Sequence, residues 1–340
     1  MNFGSFDYDS HMSAGRIIVT GGSGFIGTHF VRKLLSENFE VLNLDIQEPS
    51  DSSAHEYWLN LSILDSRKLF SIVSDFDPSY IVHLAAVTTQ NAKNLESFEV
   101  NIEGTLNVIK SANICHNLKK FIFASTQHVH IPGWFDPNSN KDSSPYGFYG
   151  ESKRIGEQML YENGGRFSWT IIRPTLIWGP GHPTLIHGLW KQILKGRYLH
   201  PRNDNVIKSY GYVKNTAWQI HQLLLTDGAT TNGKTFYLGD ENLPQKIWLD
   251  SLSQELIGSQ VREIPRFLLR WLSKVGQLFL FLGLDFPMYP SRYHNLITSN
   301  PAPLDETKQV IGIPPIDLAT AITETSQWII SRNLNFANEQ

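Results

Sequence analysis

Residues 16–27 read Arg-Ile-Ile-Val-Thr-Gly-Gly-Ser-Gly-Phe-Ile-Gly. A β-branched run stops at clustered glycines, and the following stretch, 25–35, carries apolar residues at helical spacing, so the segment reads as strand, turn and helix. Gly21, Gly24 and Gly27 fall at the turn. Their missing side chains let the backbone approach a pyrophosphate and let the helix pack close on the strand, while the first N–H groups of the helix, at Phe25 and Ile26, face the phosphates. A tight turn without a ligand would use the same letters, so the flanking sequence has to decide.

Working outward, short apolar runs at 41–44, 80–84, 121–124 and 169–172 alternate with segments of helical period at 66–73, 95–112 and 151–161. Strands separated by helices pair in parallel through right-handed crossovers, which predicts an α/β fold with a doubly wound parallel (Rossmann) sheet and a smaller C-terminal α/β lobe. The expected organisation is a disordered or cloning-derived stretch at 1–14, a dinucleotide-binding domain at 15–180, and a mainly substrate-binding lobe at 181–335 with some segments returning to the first domain. Asp45 ends the second strand, where a carboxylate accepts hydrogen bonds from ribose hydroxyls. It repels a 2′-phosphate, and the next residues, Ile46 and Gln47, supply no cation to hold one, so NAD is expected over NADP.

Composition narrows the partners. With 29 Lys and Arg against 32 Asp and Glu, the net charge of -3 creates no sequence-wide field that would recruit nucleic acid or an anionic membrane, and a small-molecule substrate is expected. The single cysteine, Cys115, cannot form an internal disulfide, and in an apparent helix at 107–117 it reads as a packing residue. No secretory signal opens the chain, and a reducing, cytoplasmic setting is expected. The apolar stretch 264–284 is interrupted by Arg266, Arg270 and Lys274, whereas a spanning helix wants about 20 mostly apolar residues. It reads as helices capping the substrate lobe, with a peripheral membrane or lipid-substrate surface as the alternative. His128, His130, His182 and His187 follow strand or loop ends, yet no metal is expected from their spacing.

Tyr149 and Lys153 lie four residues apart, a spacing that puts both on one helical face and lets the ammonium favour phenolate. Upstream, 121–124 runs into Ser125 and Thr126, placing hydroxyls at the carboxyl end of a strand, the edge where doubly wound sheets bind ligands.

The ordered series resembles the extended short-chain dehydrogenase/reductase family: the glycine turn, Asp45, His83-Leu84-Ala85-Ala86, Asn101 in 100–105, Ser125-Thr126, Tyr149 with Lys153, and Arg173-Pro174-Thr175 with Trp178-Gly179-Pro180-Gly181. The resemblance covers roughly 16–315. It implies NAD as cofactor and a nucleotide sugar as substrate, with Tyr149 as acid/base, Thr126 as the catalytic hydroxyl and Ser125 as its fallback. It further implies that Asn60 and Leu61 hold adenine, that Ala85 and Ala86 line the cleft, and that Asn101, Lys153 and Thr175 serve the cofactor. Lys208, in Lys-Ser-Tyr-Gly-Tyr-Val, takes the place of a diphosphate-binding arginine. A homodimer is implied as well. Lys208 favours a nucleotide-sugar epimerase acting through a 4-keto intermediate, whereas Leu176 and the apolar 264–284 stretch favour a 4-ketosugar reductase or a 3β-hydroxysteroid-dehydrogenase-like enzyme. Asp45→Ala is expected to weaken NAD about tenfold or more, while NADP is unaffected or improved, as read by calorimetric titration of both nucleotides.

Overall fold

The computed structural model describes residues 14–337, apart from 90–91, 134–143, 186–187, 203–204, 283, 285 and 287. The expectation of disorder at 1–13 and the reading of His187 lie outside the described residues. Seven parallel strands form the main sheet: β1 (Arg16–Thr20), β2 (Glu40–Asp45), β3 (Trp58–Asn60), β4 (Tyr80–His83), β5 (Lys120–Ala124), β6 (Ser168–Pro174) and, after three strands described below, β10 (Lys234–Leu238). Their order is β10-β6-β5-β4-β1-β2-β3.

Both faces of this sheet are apolar, as a parallel sheet with helices on each side requires. Ile17, Val19, Val82, Ile122 and Ile172 pack toward Phe30, Leu34, Ile220 and Leu223 on one side. Ile18, Ile81, Phe121, Phe123 and Ile171 pack toward Leu69, Val73, Val108 and Leu160 on the other. The alternation within β1, β4, β5 and β6 is why those runs read as continuous apolar segments.

The remaining strands form two small sheets. β7 (Leu176–Trp178), β9 (Ile207–Tyr212) and β11 (Glu241–Pro244) make one, with β9 between the others, and β8 (Leu199–Pro201) pairs with β12 (Arg262–Ile264) in the second. Trp178, Trp190, Tyr210, Tyr212 and Trp248 build a separate aromatic core against Leu249, Leu252 and Ile322. β10 is the edge strand of the main sheet and pairs with β6.

Two helical segments differ from the sequence reading. The stretch expected as one helix at 95–112 is a 3₁₀ turn at Glu96–Phe98, a π-helical turn at Val100–Gly104 and an α-helix at Thr105–Asn113. The π turn carries Asn101 inward, where Oδ1 accepts from Val87 N–H at 2.8 Å and the amide donates to Val87 O and Ser152 Oγ, both at 2.9 Å. That helix also stops at Asn113, before Cys115, whose half-buried thiol donates to Ser111 O at 3.4 Å. Burial pushes the thiol up to about 12, which fits a packing role.

Strand order reverses between β1 and β4, so their carboxyl ends open a crevice. Gly21 turns there with φ +76°, and a Cβ on it would lie 2.5 Å from Ala85 N, after β4. A Cβ on Gly27 would collide with the Gly21 carbonyl and sit 2.7 Å from Gly22 Cα. Gly27→Ala should therefore cost about 1–3 kcal/mol, seen as a lower urea midpoint at unchanged m-value, because the helix must move off the turn.

Candidate active site

The crevice is built from the glycine turn on one side and the ends of β4 and β5 on the other. Gly24 is the N-cap of the Phe25–Ser36 helix and offers no side-chain cap, so the first amides at Phe25 and Ile26 remain available to a ligand. Ser23 N–H and Gln47 N–H donate to the Asp45 carboxylate at 3.0 and 2.9 Å, which fixes its orientation beside the turn. Asn60 pairs with Asp45 across β2 and β3 and is exposed, while Leu61 is buried and its N–H donates to Asp45 O at 3.3 Å. These placements fit a dinucleotide: the backbone approaches only where a Cβ is absent, and a fixed carboxylate stands at the end of β2.

On the facing side, Ala85 and Ala86 continue from β4, half-buried, with Ala85 N–H donating to Thr20 Oγ1 at 3.4 Å. Asn101 braces this same segment through Val87 rather than offering a free amide, so its service to a cofactor would run through the loop it positions. Thr175 Oγ1 donates to Leu238 O at 2.9 Å and ties the end of β6 to β10.

Tyr149 and Lys153, expected as the acid/base pair, lie in the Gly147–Asn163 helix, longer at both ends than the expected 151–161. The Tyr149 ring stands 6.2 Å from Phe98 and 6.4 Å from His128. Burial pushes the phenol up to about 12, with Thr126 pulling the other way. Lys153 shares the helical face but not the phenol: its Nζ donates to Ala124 O at 2.7 Å and lies 5.1 Å above the Phe123 ring. Burial pushes that ammonium down to about 7, opposed by Glu157. Burial thus favours the neutral form of both groups at the carboxyl edge of β5. Ser125 is buried beside them, and Ser125 Oγ, Gln127 Oε1 and His128 Nδ1 are buried without a hydrogen-bond partner among the described residues. Orphaned polar atoms gathered at one strand end mark a place where a polar ligand would satisfy them.

A cavity of about 260 Å³ opens over Tyr149. Tyr146, Gly147 and Tyr149 line one wall, and Tyr289, Ser291, Arg292 and Asn295 line the other. Lys208, expected as the diphosphate cation, donates from Nζ to Asn295 O at 2.6 Å and so holds the Pro290–Ile297 helix in place. The cation that lines the cavity is Arg292, which no motif in the sequence announces. The sequence reading also passed over Glu157. Its carboxylate receives Arg173 Nη2 and Nε at 2.6 and 2.9 Å, and Arg173 Nη1 reaches Tyr237 Oη at 3.1 Å, all buried beneath Lys153. Among the described residues no His, Cys, Asp and Glu side chains gather as a metal-binding group.

Known proteins match this architecture. Residues 17–239 match the NAD dependent epimerase/dehydratase family. A 3-beta-hydroxysteroid dehydrogenase from Mycolicibacterium neoaurum is 29% identical over 248 residues, 66% of this chain and 66% of that protein. An N-acetyl-alpha-D-glucosaminyl-diphospho-ditrans,octacis-undecaprenol 4-epimerase from Escherichia coli O157:H7 is 31% identical over 207 residues, 58% of this chain and 60% of that protein. The chain thus aligns with slightly under two thirds of the length of these curated relatives. In fold, the UDP-glucose 4-epimerase of Thermotoga maritima superposes with a TM-score of 0.70 at 20% identity, over 94% of this chain and 99% of its own. That of Thermus thermophilus, solved with NAD, gives 0.69 at 21% identity, over 93% and 99%.

His83 adds a pH term. It is fully buried, with Nδ1 2.6 Å from Thr20 Oγ1 and Nε2 3.0 Å from Thr105 Oγ1. Burial, then the Lys153 charge, push the ring from 6.5 down to about 3. The unfolded chain binds the proton first, so the contribution is complete above 6.5 and is lost as pH falls from 6.5 toward 3. His83→Asn should flatten the dependence of unfolding free energy on pH by up to about 1.4 kcal/mol per unit in that window, measured by urea titrations.

Proposed function

Because the chain belongs to the NAD dependent epimerase/dehydratase family, we propose that it oxidises a secondary hydroxyl of a nucleotide-activated sugar and acts through a 4-keto intermediate. The glycine turn and Asp45 would hold NAD, which when bound would supply hydride-transfer chemistry. The observation that carries the reading is the placement of Tyr149 on the wall of the cavity, with Thr126 at the carboxyl end of β5 acting on its phenol. Thr126, with Ser125 beside it, holds the substrate oxygen, and the Tyr149 phenolate accepts the hydroxyl proton as the carbonyl forms and gives it back when the alcohol is restored. Lys153, held on the Ala124 carbonyl on the same helical face, would hold the nicotinamide ribose. Lys208 and Arg292 supply cations for the diphosphate. The 181–335 segment is the substrate-binding part, and a cytoplasmic homodimer is the expected setting.

A second reading, a 4-ketosugar reductase or an enzyme of 3β-hydroxysteroid-dehydrogenase type, draws support from the exposed apolar helix next to the cavity and from the Mycolicibacterium relative. An epimerase interconverts two sugars without net reduction of NAD, whereas a dehydrogenase accumulates NADH in proportion to product. Tyr149→Phe should lower turnover by about 10²–10⁴-fold and leave NAD affinity within about twofold, and full turnover by this variant would refute the assignment.

A further inference from the structure

The Arg266–Phe281 helix wears its apolar residues on the outside. Leu269, Ser273 and Gly276 face inward and are buried, whereas Phe267 is 70%, Trp271 61%, Leu278 59%, Phe281 86% and Leu282 62% exposed. Phe267, Trp271, Leu278 and Leu282 recur at helical spacing as one outward apolar stripe, with Lys274 set along it. On a helix that ends at water, that stripe would be polar. The charge pattern on the same helix says what covers it. Arg266, Arg270 and Lys274 are exposed along it, and the sequence carries no acidic residue between Glu263 and Asp285. Among the described residues no helix is long and apolar enough to cross a membrane.

We propose that the Arg266–Phe281 helix is an interfacial helix that docks the protein on an anionic lipid bilayer, lying in the membrane surface with Phe267, Trp271 and Leu278 in the acyl boundary and Arg266, Arg270 and Lys274 among the lipid phosphates. A second copy of the chain would bring three further cations against these three, a repulsion that an anionic bilayer turns into attraction. The docking helix is joined to the catalytic cavity. A Cβ on Gly276 would lie 2.7 Å from Phe286, and the ring centroids of Phe279 and Phe286 are 5.2 Å apart, so the segment leading to the Pro290–Ile297 helix is packed on it. That second helix supplies Arg292 and Asn295 to the wall opposite Tyr149. Docking therefore sets the cavity beside the lipid surface, whichever alcohol the enzyme oxidises.

The test is co-sedimentation of the full chain with phosphatidylcholine vesicles with and without phosphatidylglycerol, together with light scattering of the free protein. Binding is expected on the phosphatidylglycerol vesicles, weakened about tenfold by Phe267→Glu/Trp271→Glu and also by Arg270→Glu/Lys274→Glu, and reduced by high salt. Circular dichroism and NAD affinity of both variants report whether folding is intact. If the apolar pair fails to fold, Trp271→Phe decides: brominated lipid should quench tryptophan fluorescence in the parent and measurably less in this variant. Equal quenching in both, binding unchanged by the charge reversals, or a dimer that Phe267→Glu/Trp271→Glu splits while the parent ignores vesicles, would each overturn the proposal, the last in favour of a copy-to-copy interface.

Discussion

Partial burial of the Tyr149 phenol, which still lines the cavity, is the constraint around which the site is arranged. Burial makes the phenol hold its proton more tightly, and the surrounding protein does not reverse that, because burial outweighs the lowering influence of Thr126 and the Lys153 ammonium is held on the Ala124 carbonyl. Ala124, Ser125 and Thr126 are consecutive at the end of β5, so one strand terminus fixes the lysine and places the Thr126 hydroxyl near the phenol. Lys153 sits over Glu157, which the buried Arg173 holds by two hydrogen bonds. The helix that carries Tyr149 is thereby pinned to β5 and β6, and the phenol is set by backbone geometry rather than by a mobile loop.

The sheet topology gives that arrangement something to work on. Because strand order reverses between β1 and β4, the glycine turn and the Ala85 segment meet at one crevice, with β5 next in line. Gly21 and Gly27 are required by contacts rather than by flexibility alone, since Ala85 lies against one and the turn itself against the other. Asn101 secures the second wall of the crevice by clamping Val87, and it also bonds Ser152, adjacent to Lys153. One side chain thus ties the Val87 segment to the Tyr149 helix.

What was legible in the sequence was local. The β1 run with its glycines, Asp45 at a strand end, and Tyr149 with Lys153 one helical turn apart are short-range patterns, and the parallel sheet follows from their alternation. What was hidden depends on long-range contact. Arg173 and Glu157 are 16 positions apart and meet Tyr237, a further 64 positions from Arg173, only because β6 and β10 pair. The π turn at Val100–Gly104 breaks a helix whose periodicity looked continuous, because Asn101 gains three hydrogen bonds by turning inward. Spacing placed Lys153 and Tyr149 on one face, yet a long flexible side chain chose the stronger acceptor at Ala124. Arg292 sits in a segment without a motif, and only the fold brings it over Tyr149.

The central claim is that this protein stores a protonated phenol whose ionisation awaits positive charge from bound NAD. Ultraviolet difference titration of phenolate, with and without oxidised NAD and with Tyr149→Phe as the reference, measures this directly. The account predicts that one tyrosine ionises near 12 in the free protein and at least about two units lower in the NAD complex, a change absent from the reference protein. A tyrosine titration that is the same with and without NAD, or a shift that survives in Tyr149→Phe, would contradict it.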